Sequence, residues 1–149
     1  MLAVRTLTGL QTIKAVKVRD SGSVLRTCQF VKVRDASNVL RTVWSALTAS
    51  VSNASPTGIG DSPGAIPITT QTVTASPVGG TAPFTYAWTQ TGGETATIGS
   101  PTSASTPFTF AAVDPGDSKA GAFSCLITDA TGATASVAVN ATATNANTA

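Results

Sequence analysis

Side chains able to carry chemistry are scarce in this chain of 149 residues. It contains no histidine, which excludes Ser-His and Cys-His nucleophile pairs as well as histidine metal sites. The cysteines, Cys28 and Cys125, lie far apart and lack the C-x-x-C spacing of a structural zinc site. Neither Gly79-Gly80 nor Gly92-Gly93 belongs to a phosphate-binding loop motif. We therefore predict that the chain is not an enzyme and requires no cofactor.

The carboxylates leave two alternatives open. Asp114 and Asp117 in a D-P-G-D turn, together with Asp129, could offer oxygen ligands to calcium. A turn rich in Asp, Pro and Gly has the same composition without a metal, and we prefer that interpretation. Glu94 and Asp117 could be compared with a glycosidase carboxylate pair, but the sequence shows no residues that would support such a pair.

The aromatic residues are concentrated in the stretch V-G-G-T-A-P-F-T-Y-A-W-T-Q, from Val78 to Gln90. A period of two places Phe84, Tyr86 and Trp88 on one face of a strand. This is a large apolar load in a chain with 5% aromatic residues, so we predict a central strand of a β-sandwich rather than an exposed sugar platform. The predicted sandwich core comprises Val73, Phe84, Tyr86, Trp88, Phe123 and Cys125.

Composition and charge indicate an all-β chain with two unlike modules. Ala, Thr, Ser, Gly and Val dominate, and turn residues recur at short intervals, which favours short strands. Residues 1–50 carry eight basic and two acidic side chains, a net charge of +6, whereas the remainder carries one basic and five acidic side chains, a net charge of −4. We predict a β-hairpin-repeat module (1–48), a Ser/Gly/Pro-rich linker (49–63), a β-sandwich (64–144) and a polar tail (145–149).

A tandem repeat defines the N-terminal module. The sequence K-V-R-D at Lys17–Asp20 recurs at Lys32–Asp35, and V-L-R-T at Val24–Thr27 recurs at Val39–Thr42. Both offsets are 15 residues. Because Asp is favoured at the first position of a type I turn, each repeat predicts a β-hairpin with a four-residue turn that begins at Asp20 or Asp35.

The predicted hairpin register separates apolar from basic residues. Val18 would face Leu25 and Lys17 would face Arg26, which gives one apolar and one basic face; Val33, Leu40, Lys32 and Arg41 would repeat the arrangement. The candidate anchoring residues are Lys17, Arg19, Arg26, Lys32, Arg34, Arg41 and Trp44.

Isolated two-stranded hairpins are marginally stable in water, so this module needs a partner surface or oligomerisation. We expect it to dock on an acidic protein and to form a homo-oligomer. Nucleic acid is disfavoured, because aromatics do not interleave with the charges and Asp20 and Asp35 sit beside them. A solvated basic face and a small sheet packed on the second domain are the remaining alternatives.

Two segments of the second half carry a family resemblance. G-G-T-A-P-F-T-Y-A-W, Gly79 to Trp88, resembles the second-to-third strand region of polycystin-type and related bacterial Ig-like repeats, with Trp88 as the core tryptophan. G-A-F-S-C-L-I-T-D-A-T-G, Gly121 to Gly132, resembles the sixth strand and following turn of such domains. The resemblance implies that Phe123 replaces the tyrosine-corner Tyr and that Cys125 stands at the second disulfide position.

The first disulfide position of the Ig-like pattern would fall near Val73 or Ala75, where this sequence has no cysteine. The resemblance therefore implies a domain held by packing of Trp88 against Cys125 and Val73. Both cysteines of the chain are expected to be free thiols, in keeping with assembly in a reducing cytoplasm.

Basic K-V-R-D…R-T repeats ahead of an Ig-like domain resemble virion proteins of tailed bacteriophages. This resemblance implies a non-enzymatic structural protein of the virion, a capsid decoration or tail-associated component that is assembled in the host cytoplasm. One module would attach to other virion proteins, and the Ig-like module would be displayed, with weak adhesion to host-surface glycans as a further role.

A binding module of a bacterial surface or secreted protein, recognising carbohydrate or protein, is the alternative function. It would require a signal peptide or a larger parent chain, and the N-terminal M-L-A-V-R-T-L-T-G-L lacks the unbroken apolar segment of a signal peptide. No run approaches the ~20 apolar residues of a membrane helix, so we expect no membrane association.

Overall fold

The computed structural model describes residues 16–19, 25–28, 30–34 and 40–148, with side chains described from residue 45 onward. All regular structure in these residues is β-strand, which confirms the all-β class. The described part of the chain contains no helix with the length and hydropathy needed to cross a bilayer. The chain divides into two compact units, Met1–Ala46 and Leu47–Ala149.

The described residues of the first unit form two antiparallel two-stranded sheets. Its strands are β1 (Val16–Arg19), β2 (Leu25–Cys28), β3 (Phe30–Arg34) and β4 (Leu40–Ser45). Strand β1 pairs with β2, and β3 pairs with β4. Short strands rich in Val and Thr favour such pairing.

The second unit contains ten strands. They are β5 (Thr48–Val51), β6 (Thr57–Gly60), β7 (Ile66–Thr69), β8 (Val73–Val78), β9 (Thr85–Gly93), β10 (Ala96–Ile98), β11 (Ser105–Thr106), β12 (Phe108–Val113), β13 (Ser118–Thr128) and β14 (Thr134–Asn145). One sheet has the order β6-β14-β13-β9, and two smaller sheets have the orders β10-β12-β7 and β11-β8-β5.

Alternation along β13 and β14 creates the core of this unit. Phe123, Cys125 and Ile127 are fully buried, while the residues between them turn outward. Phe108 of β12 stacks on Phe123 with ring centroids 3.9 Å apart, and its ring meets that of Trp88 edge-on at 5.8 Å. Because these rings come from strands of opposing sheets, the unit is β-sandwich-like.

The predicted linker at 49–63 is wrong, because this segment contributes strands to two of the three sheets of the second unit. Strand β5 pairs antiparallel with β8, and β6 pairs in parallel with β14. Gly58 lies so near β7 that an added Cβ would approach the carbonyl oxygen of Thr69 to 2.5 Å. Glycine is used here for close backbone approach rather than for flexibility. Thr48, predicted as the last residue of the N-terminal module, is the first residue of β5.

The predicted polar tail at 145–149 is wrong at its first residue. Strand β14 continues to Asn145, whose side chain is fully buried. Its Nδ2 donates to the carbonyl oxygens of Ser62, Gly64 and Val113 at 3.1, 3.2 and 3.2 Å. Burial of this amide is stabilised by these partners, which composition does not reveal.

Candidate functional site

The two sheets of the first unit share three equivalent residue pairs. The pairs are Lys17–Thr27, Val18–Arg26 and Arg19–Leu25 in the first sheet, and Lys32–Thr42, Val33–Arg41 and Arg34–Leu40 in the second. Each of these three pairs recurs 15 residues later, whereas the fourth pair of the first sheet, Val16–Cys28, has no equivalent because the register of the second sheet shifts between Val31 and Lys32. The repeat in sequence is therefore also a repeat in backbone pairing.

The predicted register of these strands is wrong by one residue. Val18 is opposite Arg26, not Leu25. The predicted four-residue turn would have paired Arg19 with Val24, whereas Arg19 is paired with Leu25 and five residues lie between the paired positions. Residues opposite each other in a ladder occupy the same face, and a shift of one residue changes every pairing. The predicted division into an apolar and a basic face is therefore wrong as well, because Val18 is paired with Arg26 and Arg19 with Leu25.

The structure places the candidate anchoring residues on four short strands. Lys17 and Arg19 lie on β1, Arg26 on β2, Lys32 and Arg34 on β3, and Arg41 and Trp44 on β4. The predicted opposition of Lys17 and Arg26 does not occur, and Lys17 is opposite Thr27. This removes a like-charge repulsion that would have weakened the sheet. The side chains of these residues fall outside the described part of the chain, so their joint surface stays a prediction.

The aromatic strand β9 serves the core of the second unit. Trp88 is 3% exposed, and its Nε1–H donates a hydrogen bond to the carbonyl oxygen of Ser103 at 2.9 Å. Phe84 and Tyr86 are half-buried and pack against the buried cluster that includes Val73. This arrangement leaves no exposed aromatic platform for a sugar on β9.

Cys125 is opposite Trp88 in the pairing of β13 with β9. Its thiol is free and fully buried. Burial raises the pKa of Cys125, against a smaller lowering by a hydrogen bond with the backbone of Ala87. A buried thiol with a raised pKa is a poor nucleophile, so the geometry favours packing over chemistry at this position.

The three aspartates considered as calcium ligands are not brought together. Asp114 and Asp117 share a turn before β13, in which the N–H of Asp117 donates to the carbonyl oxygen of Asp114 at 3.1 Å. Asp129 follows β13 at its other end. No group of three or more His, Cys, Asp or Glu side chains in the described residues is arranged to hold a metal ion.

Asp129 instead joins two loops at one end of the sandwich. Its Oδ1 accepts from the N–H and Oγ1 of Thr131, both at 2.8 Å, and from the N–H of Ala133 at 2.9 Å. Its Oδ2 accepts from the N–H of Thr81 at 2.9 Å, and the N–H of Ala130 donates to the carbonyl oxygen of Thr81 at the same distance. The turn after β13 is thereby tied to the loop before β9.

Two effects act on the Asp129 carboxyl. Burial alone would raise its pKa, because it disfavours the charged form. The hydrogen bonds from Thr131, Thr81 and Ala133 favour the carboxylate and lower the pKa below its usual value. In the sequence Asp129 stands out only as a candidate calcium ligand; the D-x-T spacing, typical of an Asp side chain that caps its own turn, could have indicated the contact within the turn.

Comparisons with known proteins add little to this geometry. No family model matches the sequence, and no curated protein matches it. Among solved structures, a conjugative transposon lipoprotein from Bacteroides eggerthii DSM 20697 is similar at a TM-score of 0.35 and 13% identity, over 63% of this chain and 94% of that one. A likeness at this TM-score carries no conclusion about function.

Proposed function

We propose that the chain is a non-enzymatic structural component of a tailed-phage particle, a capsid decoration or tail-associated protein. Its β-hairpin-repeat module attaches to other virion proteins and forms homo-oligomers, and an Ig-like domain is displayed from it. The observation that carries the proposal is a pair of strand ladders that share three residue pairs at an offset of 15 residues, each with three basic positions.

The size and charge of these ladders support an anchoring role. Two-stranded sheets with strands of four to six residues are marginal alone, so they gain stability by association. The surplus of basic residues in the first 50 positions favours an acidic protein surface as the partner. Asp20 and Asp35 beside the basic residues, and the lack of interleaved aromatics, argue against nucleic acid.

The second unit supports an Ig-like interpretation of the displayed domain. Strands β9, β13 and β14 are neighbours in one sheet, with Trp88 opposite Cys125 at its centre. Every aromatic side chain from residue 45 onward is buried or half-buried. Display on a particle therefore accounts for the domain better than recognition of a glycan through stacked rings.

The test is incorporation into particles produced from the genome that encodes the chain. A variant with Arg19→Glu and Arg34→Glu reverses the charge at equivalent positions of the two ladders. We expect it to be lost from purified particles, measured by quantitative mass spectrometry, because like charges would then face the acidic partner. Lys119→Glu, the matched change in the second unit, should be incorporated at the wild-type level. Equal incorporation of both variants, or absence of the wild-type chain from particles, would overturn the proposal.

A further inference from the structure

The outward face of the four-stranded sheet carries no charged side chain. Strict alternation on β13 turns Ala122, Ser124 and Leu126 outward between buried neighbours. The outward positions of β6, β9 and β14 are likewise uncharged: Thr, Ser, Ala, Gly, Ile or Asn. We refer to these outward positions of β6, β9, β13 and β14 together as the neutral face.

Two large apolar residues stand on the neutral face. Ile59 on β6 is 77% exposed and Leu126 on β13 is 44% exposed. Small side chains such as Ala122 and Ala138 form the surface between them. A third exposed apolar residue of the second unit, Val78, lies on β8 and belongs to another sheet.

The chemistry of the neutral face suits a second copy of itself. Two such faces meet without repulsion, although the unit as a whole is acidic, because Asp61, Asp114 and Asp117 lie in loops and turns outside the sheets. Small side chains allow two sheets to pack at the ordinary spacing of ~10 Å. The neutral face has no aromatic side chain on which a sugar or a base could stack and no ionised side chain that could bind a phosphate, so it does not suit a glycan or a nucleic acid.

The extent of the face matches a small interface. Four strands spaced ~4.8 Å apart, with ~3.3 Å per residue along the strands, cover on the order of 600 Å². Stable interfaces bury roughly 800 Å² on each partner, and weak ones bury less. The neutral face is therefore large enough for a reversible contact between two copies.

We propose that the neutral face packs against the neutral face of a second copy in a two-fold symmetric dimer. Such a contact is self-complementary, so Leu126 of each copy would lie in the shared interface. The inference goes beyond the proposed attachment to a particle, since it concerns the second unit and does not depend on the basic ladders.

Sedimentation equilibrium of the full chain tests the contact. Leu126→Lys should weaken self-association by roughly tenfold or more, because it places like charges in the interface. Val78→Lys, an equally apolar-to-basic change on another sheet, should leave association unchanged. Ser136 is an exposed residue of β14 directly opposite Leu126, so Ser136→Lys gives a second variant that does not remove an apolar residue. Ser76→Lys, at an exposed position of β8, is its control.

The outcomes are distinct from those of the particle test. Weakening by Leu126→Lys and Ser136→Lys but not by their controls would support the dimer, even if the chain is absent from particles. A monomeric wild-type chain, or an association that all four variants share, would overturn it, including the case in which copies associate through the first unit alone.

Discussion

The side-chain amide of Asn145 pairs with both backbone groups of Ser62. Its Oδ1 accepts from the Ser62 N–H at 3.0 Å, and its Nδ2 donates to the Ser62 carbonyl at 3.1 Å. The same nitrogen donates to the carbonyl oxygen of Val113, and the N–H of Gly116 donates to the carbonyl oxygen of Asn145. One residue of β14 thus fixes two loops at the end of the sandwich away from Asp129.

Asn145→Ala should lower the free energy of unfolding by about 2–4 kcal/mol, because it leaves several buried backbone groups without partners. Asn145→Asp keeps the acceptor but loses the donor, and we expect at least as large a loss. Asn140→Ala, an exposed change on the same strand, should stay within about 0.5 kcal/mol of wild type. Urea unfolding measures all three, and equal stability of the Asn145 and Asn140 variants would contradict the role of the amide.

Asp129 should make the fold sensitive to acid. Because its pKa is lowered in the folded state, the carboxylate stabilises the fold fully above the unfolded pKa of about 3.9, and this stabilisation is lost as the pH falls through the folded value. Asp129→Asn should lower the free energy of unfolding by about 1–3 kcal/mol at neutral pH. It should also reduce the further decrease of this free energy as the pH falls through the acid range. Asp114→Asn should leave neutral-pH stability within about 0.5 kcal/mol. Urea midpoints measured across the acid range provide the comparison, and an unchanged decrease across that range in Asp129→Asn would rule out this role.

Gly58 tests the segment predicted as a linker, with Gly64, just beyond that segment, as its control. In Gly58→Ala the new Cβ would lie 2.5 Å from the carbonyl oxygen of Thr69 and 2.9 Å from Cγ2 of Ile68, so β6 must shift. We expect a loss of about 1–3 kcal/mol in thermal or urea unfolding. Gly64→Ala meets no atom within 4 Å and should be neutral or stabilising by up to about 1 kcal/mol. If both variants behave alike, β6 is not packed as described.

Ala112 has a φ of +50°, in the left-handed region, at the irregularity in the pairing of β12 with β7. This conformation costs an L-residue other than glycine roughly 1–2 kcal/mol. Ala112→Gly should therefore raise the free energy of unfolding by about 0.5–1 kcal/mol, once the added entropy of the unfolded chain is included. Ala111→Gly, one residue earlier and also exposed, should lower it by a similar amount. The opposite order of the two variants in differential scanning calorimetry would exclude strain at residue 112.

Alternation along the chain predicts the aromatic strand of the sandwich well. Phe84, Tyr86 and Trp88 repeat at every second position, and in the structure Trp88 is buried in the core while Phe84 and Tyr86 pack against it. Apolar and polar residues alternate along a strand because one of its faces is buried and the other is exposed, so the pattern indicates which residues face the core.

The errors arise where partners distant in the sequence decide the structure. Glycine is needed at position 58 of β6 because β7 lies close to its backbone. The amide of Asn145 can be buried because it donates to three carbonyl oxygens of residues distant in the sequence. The register of β1 with β2 depends on whether four or five residues separate the paired strand ends. The presence of Asp20 at a turn position does not determine that number. Local composition contains none of these relations.

The parallel pairing of β6 with β14 has a mechanical consequence. Strand β6 lies near the start of the second unit and β14 near its end, so tension applied between the two chain ends pulls these neighbours in opposite directions along their length. Hydrogen bonds that cross between the strands then resist together rather than opening one by one. Single-molecule pulling from the termini should require more force than pulling from Ser118 and the C-terminus, which opens the β13–β14 pair from its free end one residue pair at a time. We therefore expect the second unit to resist mechanical unfolding when force is applied between its two ends.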